Sequence, residues 1–313
     1  MKRKVVKHGP STFIISLPSK WIKKYGIEKG DELDVDEQGD TVIISTKEGQ
    51  KVGQVEVDVS ELDRTSLLFL IRSLYKLGYQ EIKLNFKNQS ALHHRLGKER
   101  TVISVVHEEV NRLTGMEVVQ QRENFCIIKA LSVMSFSEFE PVLRRIFRLL
   151  IDASEDLIKG ADKRDETLLN TIEEKHNSIT KFISFCLRVL SLKGYPDSKK
   201  KLNIHQIISM TDKVLDTIKN TSRNLIYLKP LLSGRAKEFM ESIHRLIVIY
   251  YELFYKFEKE KILKIFELRD KIYKEIKDDY KKLSKEELVV VNQLSGIVDL
   301  IVDMTESRMA LEY

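Results

Sequence analysis

The sequence predicts a multidomain α+β chain: a small N-terminal β domain, a middle α/β domain of ferredoxin-like size and a C-terminal all-α pair of three-helix bundles. Three observations predict it. Short β-branched runs broken by turn residues fill the stretch up to Glu48, strand-like and helix-like segments alternate from Gly53 to Leu131, and from Ser135 apolar residues step by three and four to the end. A chain of 313 residues is long for one core, which favours domains at 1–49, 50–134 and 135–313. Only five prolines and thirteen glycines leave little room for disorder or an all-β architecture.

In the first domain Lys4 to Lys7 reads as a strand and His8-Gly9-Pro10-Ser11 as a turn. Thr12 to Leu17, β-branched and aromatic, reads as a second strand. Ser19 is placed to N-cap a helix from Lys20 to Tyr25, with Gly26 ending it at positive φ. Glu32 to Asp36 and Val42 to Thr46 alternate about the turn Glu37-Gln38-Gly39-Asp40 as a hairpin. So small a unit buries little surface alone, and a homodimer is expected. Charge divides it sharply. Met1 to Lys24 holds seven cations (Lys2, Arg3, Lys4, Lys7, Lys20, Lys23 and Lys24) and no acid, while Tyr25 to Gly49 holds eight acids against two lysines. A cationic face without an enzyme signature points to phosphate backbones.

Lys7-His8-Gly9-Pro10-Ser11, then Ile15-Ser16-Leu17-Pro18, then Trp21, Tyr25-Gly26-Ile27 and Lys29-Gly30-Asp31 resemble the AbrB/MazE/SpoVT swapped-hairpin DNA-binding domain over about Met1 to Glu48. The resemblance implies an intertwined dimer whose basic face lies on DNA. Aligned through Gly9 and Pro18, Arg3 and Lys23 fall where that family places DNA-contacting arginines, and Lys4, Lys7, Ser11, Lys20 and Lys24 complete the expected contact set. Trp21, at the start of a short helix, suits the core or dimer interface better than a base stack.

In the middle domain Gln54 to Val59 alternates as a strand, and Ser60-Glu61 with Asp63 opens a helix to about Leu77, stopped by Gly78. Glu81 to Phe86 is the next strand, and a helix from about Ser90 to Leu113 is expected to end near Gly115. Met116 to Gln121 and Phe125 to Leu131 read as a hairpin around Arg122-Glu123-Asn124. No glycine-rich phosphate loop follows any of these strands, so nucleotide binding has no support in the sequence. His93-His94, beside Arg95, reads as solvated surface.

The C-terminal domain carries the stripe Phe139, Leu143, Ile146, Leu150, Ala153 and Leu157, then Leu168, Ile172, Ile179, Ile183, Cys186 and Leu190. Gly160 and Lys193-Gly194-Tyr195-Pro196 mark the two helix ends, and His176 in the second stripe reads as a core or interface histidine. Four further helices fit about Leu202–Leu228, Ala236–Glu258, Lys261–Leu283 and Lys285–Leu311. Asp212 and Asp216, like Asp299 and Asp303, are four apart and project from one helix face, where two carboxylates can meet one hard cation. With 47 acidic residues in 313 such pairs also arise by chance, usually as solvated surface.

The six-helix tandem resembles the PhoU family of phosphate-uptake regulators. Gly296-Ile297-Val298-Asp299 with Asp303 and Glu306 is similar to that family's third-helix motif, and in the first half Asp212 matches while Lys219 stands where the family often has Glu. The resemblance implies a divalent or ferric metal held by Asp212, Asp216, Asp299, Asp303 and Glu306. The second-helix acidic motif is blurred to Glu173 and Asn177 in one half and Glu267 and Asp270 in the other.

No nucleophile–base spacing, HExxH or acid/base pair appears, so no enzyme is expected. Cys126 and Cys186 are far apart and read as packed thiols in a reducing compartment. No secretory h-region follows Met1, and the longest apolar run, Leu246 to Tyr255, contains Glu252, so a cytoplasmic chain without membrane insertion is expected. The combined reading is a dimeric DNA-binding transcriptional regulator of phosphate uptake. The alternative is an adaptor for a phosphate transporter ATPase or sensor kinase, with the N-terminal domain only dimerising it; an antitoxin is disfavoured by the long helical body.

Overall fold

The computed structural model describes residues 2–38, 41–46, 53–132 and 134–313. The chain divides into two compact units, Met1–Gly53 and Gln54–Tyr313, each described by itself below. Gly39 and Asp40 of the expected turn, and the expected boundary at 49–50, lie outside the described residues.

In the first unit β1 (Val5–His8) and β2 (Thr12–Ile15) form an antiparallel hairpin in the register Val5↔Ile15 to His8↔Thr12. Gly9 turns it at φ +78, a conformation that favours glycine. Helix α1 (Ser19–Lys24) begins one residue earlier than expected. Pro18, extended, is the N-cap, and its carbonyl accepts from Trp21 N and Ile22 N at 2.9 and 3.0 Å, so Ser19 is already helical and caps nothing. Gly26 follows at φ +60, as expected. Strands β3 (Leu33–Gln38) and β4 (Thr41–Thr46) pair antiparallel. In a single copy Val5, Val6, Phe13, Ile14 and Ile15 are all exposed.

The second unit opens with a four-stranded sheet in the order β5-β6-β10-β9. Strands β5 (Gln54–Asp58) and β6 (Glu81–Asn85) are parallel, joined over the sheet by α2 (Arg64–Leu77). Asp63 caps α2 by accepting from Thr65 N and Ser66 N, and Gly78 ends it in the left-handed region. The helix expected over 90–113 is instead a small hairpin, β7 (Ser90–His93) with β8 (Lys98–Thr101), followed by a short α3 (Val102–Val110). Gly97 at φ +59 allows the reversal, and Thr101, extended, accepts from Ser104 N at 3.2 Å and so starts the helix late. His93 is thereby buried, not solvated; His94 is exposed. Strands β9 (Met116–Gln121) and β10 (Phe125–Ala130) close the sheet with a register shift at Ile127/Ile128. Ile82, Leu84, Cys126 and Ile128 alternate into a core shared with α2 and α3.

Six helices follow: α4 (Phe139–Lys163), α5 (Glu166–Lys193), α6 (Lys201–Leu228), α7 (Gly234–Tyr255), α8 (Lys259–Asp279) and α9 (Lys285–Ala310). They pack as α4–α6 and α7–α9, with α6 against α9 and α4 against α7. The stripe on α4 is buried throughout, whereas Gly160 does not end that helix. A Cβ at Gly160 would meet Leu169 at 2.8 Å, so this glycine permits close approach of α5. Arg164, at φ 53, ends α4. Glu287 serves two helices at once: it completes the capping box of α9 with Ser284 and accepts from Ser233 N at 2.6 Å, at the start of α7.

The sheet layer and first bundle are one body because α2 packs on α5. Buried Arg188 of α5 donates to the Tyr75 carbonyl at 2.6 Å and stacks over its ring. Both cysteines are buried, and burial pushes each thiol up to about 12, as suits packed, unreactive groups. Helix α9, with a mean hydropathy of 1.5 over a window of its 26 residues, is long and apolar enough to cross a membrane. The expectation from the Leu246 run overlooked it; its apolar residues Val290, Leu294, Ile297, Val298 and Ile301 lie in the bundle core.

Candidate functional site

Three regions hold the residues singled out in the sequence. In the first unit Arg3, Lys4, Lys7, Ser11, Lys20, Lys23 and Lys24 are all exposed. The strand register sets Lys7 opposite Phe13, and the last turn of α1 carries Lys23 and Lys24, where cations are favoured by the helix C-terminus. Lys24 Nζ lies 5.2 Å from the Tyr25 ring, and none of the six cations forms an ion pair among the described residues. Trp21 is half-buried against Tyr25, consistent with a packing role in that unit.

The second region is a cavity of about 420 Å³ between the sheet layer and the first bundle. Helix α2 supplies Arg64 and Arg72, β7 supplies His93, the segment after it Arg95 and the loop after α3 Arg112, α5 supplies Glu173, His176 and Thr180, and α6 supplies Asp212, Asp216, Lys219 and Arg223. The side chains at 212 and 216 share a helix face, as their spacing requires, and Glu173 and Asn177 join them.

Cations neutralise these carboxylates. Lys219 Nζ reaches Asp216 Oδ1 at 2.6 Å and His176 Nε2 at 3.0 Å, while His176 Nε2 lies 2.9 Å from Asp216 Oδ1. Burial opposes ionisation of Asp216, but hydrogen bonds from His176 and Lys219, with the Lys219 charge, hold its carboxyl well below the usual range. Arg223 Nε and Nη2 grip Glu173 at 2.9 and 2.7 Å. Asp212 lies in the field of Arg72 and Lys76. Among the described residues no group of three or more His, Cys, Asp or Glu side chains is placed to hold a metal.

Asp299, Asp303 and Glu306 lie apart from this cavity, exposed along α9. Asp299 accepts from Tyr273 Oη; burial and this carboxylate push the Tyr273 phenol up to about 12.

The arginines on the sheet side of the cavity were missed in the sequence. Arg72 donates to Glu109 through Nε and Nη2 at 2.6 and 2.9 Å, and Arg64 pairs with Glu108. The one available signal was the run of Arg64 and Arg72 on one helix with Glu108-Glu109 on the next. Only the fold shows that they face Asp212 and Asp216.

A family model described as "Antidote-toxin recognition MazE, bacterial antitoxin" matches residues 6–52. No curated protein is similar enough in sequence to match the chain. Among solved structures, the phosphate transport system regulatory protein PhoU from Streptococcus pneumoniae is 16% identical with a TM-score of 0.46, over 56% of this chain and 94% of that one. A putative PhoU-like phosphate regulatory protein from Shewanella oneidensis MR-1 is 11% identical (TM-score 0.38; 54% and 96%). A PhoU-like protein from the same organism is 12% identical (TM-score 0.39; 57% and 98%). The chain joins an N-terminal segment similar to the MazE antitoxin family to a body similar to PhoU proteins.

Proposed function

We propose that the chain is a DNA-binding transcriptional regulator linked to phosphate uptake, acting as a homodimer in the cytoplasm. The observation that carries this reading is the exposed set Lys7, Lys20, Lys23 and Lys24 on the segment similar to MazE, with Arg3 and Lys4, also exposed, just before it. Phosphate oxygens recognise such a face through charge and hydrogen bonds, with Ser11 adding a hydroxyl. The exposed apolar residues of β1 and β2 supply the reason to pair with a second copy. The phosphate link rests on the resemblance of the third-helix motif Gly296-Ile297-Val298-Asp299 with Asp303 and Glu306 to the PhoU pattern. Helices of this body then bias the DNA affinity of the head.

Gel shifts with operator fragments captured from the genome, at rising salt, test it. Each phosphate contact contributes a slope of about −0.9 in log affinity against log salt. Arg3→Ala with Lys23→Ala therefore flattens the slope by about two per subunit and weakens binding across all sequences. Undiminished binding by that double variant removes these residues from the interface.

A further inference from the structure

The cavity between the sheet layer and the first bundle has the composition of an anion site. Its wall carries six cations, Arg64, Arg72, Arg95, Arg112, Lys219 and Arg223, against three carboxylates. Adding Glu108 and Glu109, which pair with Arg64 and Arg72 from behind, brings the carboxylates to five, still one fewer than the cations. Arg95 and Arg112 have no ion-pair partner among the described residues. The paired arginines also keep donors in hand, since a guanidinium has five N–H groups and Arg64 and Arg72 spend only some on Glu108 and Glu109.

An independent observation points to a missing partner in the same wall. Five buried side-chain polar atoms lack a hydrogen bond among the described residues, and three of them belong to this cavity's lining: Arg64 Nε, His176 Nδ1 and Thr180 Oγ1. Each buried polar atom without a partner costs about 1–3 kcal/mol, and three such atoms cluster on residues of one wall. Thr180 is the clearest case. It is only 5% exposed, yet its hydroxyl does not bond its own helix, whereas Thr211, Thr217, Thr221 and Thr305 all donate to the carbonyl four residues back. Arg64 Nε–H and the Thr180 hydroxyl are donors that anionic oxygens satisfy.

We infer that this cavity binds a phosphate-bearing organic anion of about nucleotide size. Phosphate oxygens match forked guanidinium donors in pairs, and the double charge of a phosphate suits Arg95 and Arg112 together. A volume of about 420 Å³ is that of a small-molecule pocket, larger than a bare inorganic ion requires. Leu68 and the exposed ring of Phe69 give the wall an apolar edge for the rest of the ligand. Bound there, the anion bridges α2 of the sheet layer to α5 and α6 of the bundle. The inference lies wholly within residues 54–313 and is independent of the DNA reading, which the Arg3 and Lys23 variants test.

Isothermal titration of the full chain with ATP, pyrophosphate, orthophosphate and Mn²⁺, each alone, tests it. ATP binds, and more tightly than orthophosphate. Arg95→Ala and Arg112→Ala each weaken ATP about tenfold, as loss of one charged hydrogen bond requires, with an unchanged far-UV spectrum. Thr180→Val weakens it less. Three results overturn the inference: no ATP binding at about 1 mM, affinity that survives in the Arg95→Ala/Arg112→Ala double variant, or binding of Mn²⁺ with no anion binding. Orthophosphate binding more tightly than ATP overturns the organic part of the ligand.

Discussion

Asp216 shows how a single substitution in the pattern changes what a carboxylate pair does. Two acids four apart on a helix present oxygens to a cation, but Lys219 lies one turn further on and supplies that cation from within the chain. Such a depressed carboxyl contributes stability that is fully present above its unfolded-state value near 3.9 and is lost as pH falls toward the lower folded value. The stability difference between the wild type and Asp216→Asn is therefore constant near neutrality and shrinks progressively as the pH falls below about 4. Urea unfolding at a series of pH values measures it. A difference that persists unchanged into acid removes the His176–Lys219–Asp216 contacts as its source. The spacing of 212 and 216 was legible in the sequence, and so was the intrusion of Lys219. The cationic character of the whole wall was not, because Arg64, Arg72, Arg95 and Arg112 arrive from segments about 100 or more residues away in the chain.

At the scale of elements, the turn residues were read well where one residue decides the geometry. Gly78 ends α2 in the left-handed region, and a Cβ there would meet Leu192 Cδ2 of α5 at 2.8 Å. Backbone strain alone costs an alanine about 1–2 kcal/mol, and the contact adds to it. Gly78→Ala therefore lowers the unfolding free energy of the body by about 2–3 kcal/mol, read by chemical denaturation. A neutral effect means that α2 and α5 separate freely. Reading failed over 90–113, where apolar spacing compatible with a helix hid the hairpin turned by Gly97. It failed also at Gly160, whose role is close packing against Leu169; a glycine near a helix end cannot reveal which neighbour it admits.

For the whole molecule the exposed apolar strands of the N-terminal unit predict association. Phe13→Asp with Ile15→Asp places charge at two such positions and converts a dimer to monomer by sedimentation, while the helical signal of residues 54–313 is retained. A dimer unchanged by both substitutions assigns association to another surface. The sequence by itself determined the fold class, the six-helix periodicity, the charge division at the N-terminus and the turn glycines at 9, 26 and 78, because these depend on neighbours within a few positions. Tertiary structure alone decided that the sheet layer and first bundle form one body, that His93 is buried, and that arginines of one face the acids of the other. Those are long-range contacts, and local periodicity specifies which face of an element is buried but not which residues lie across from it.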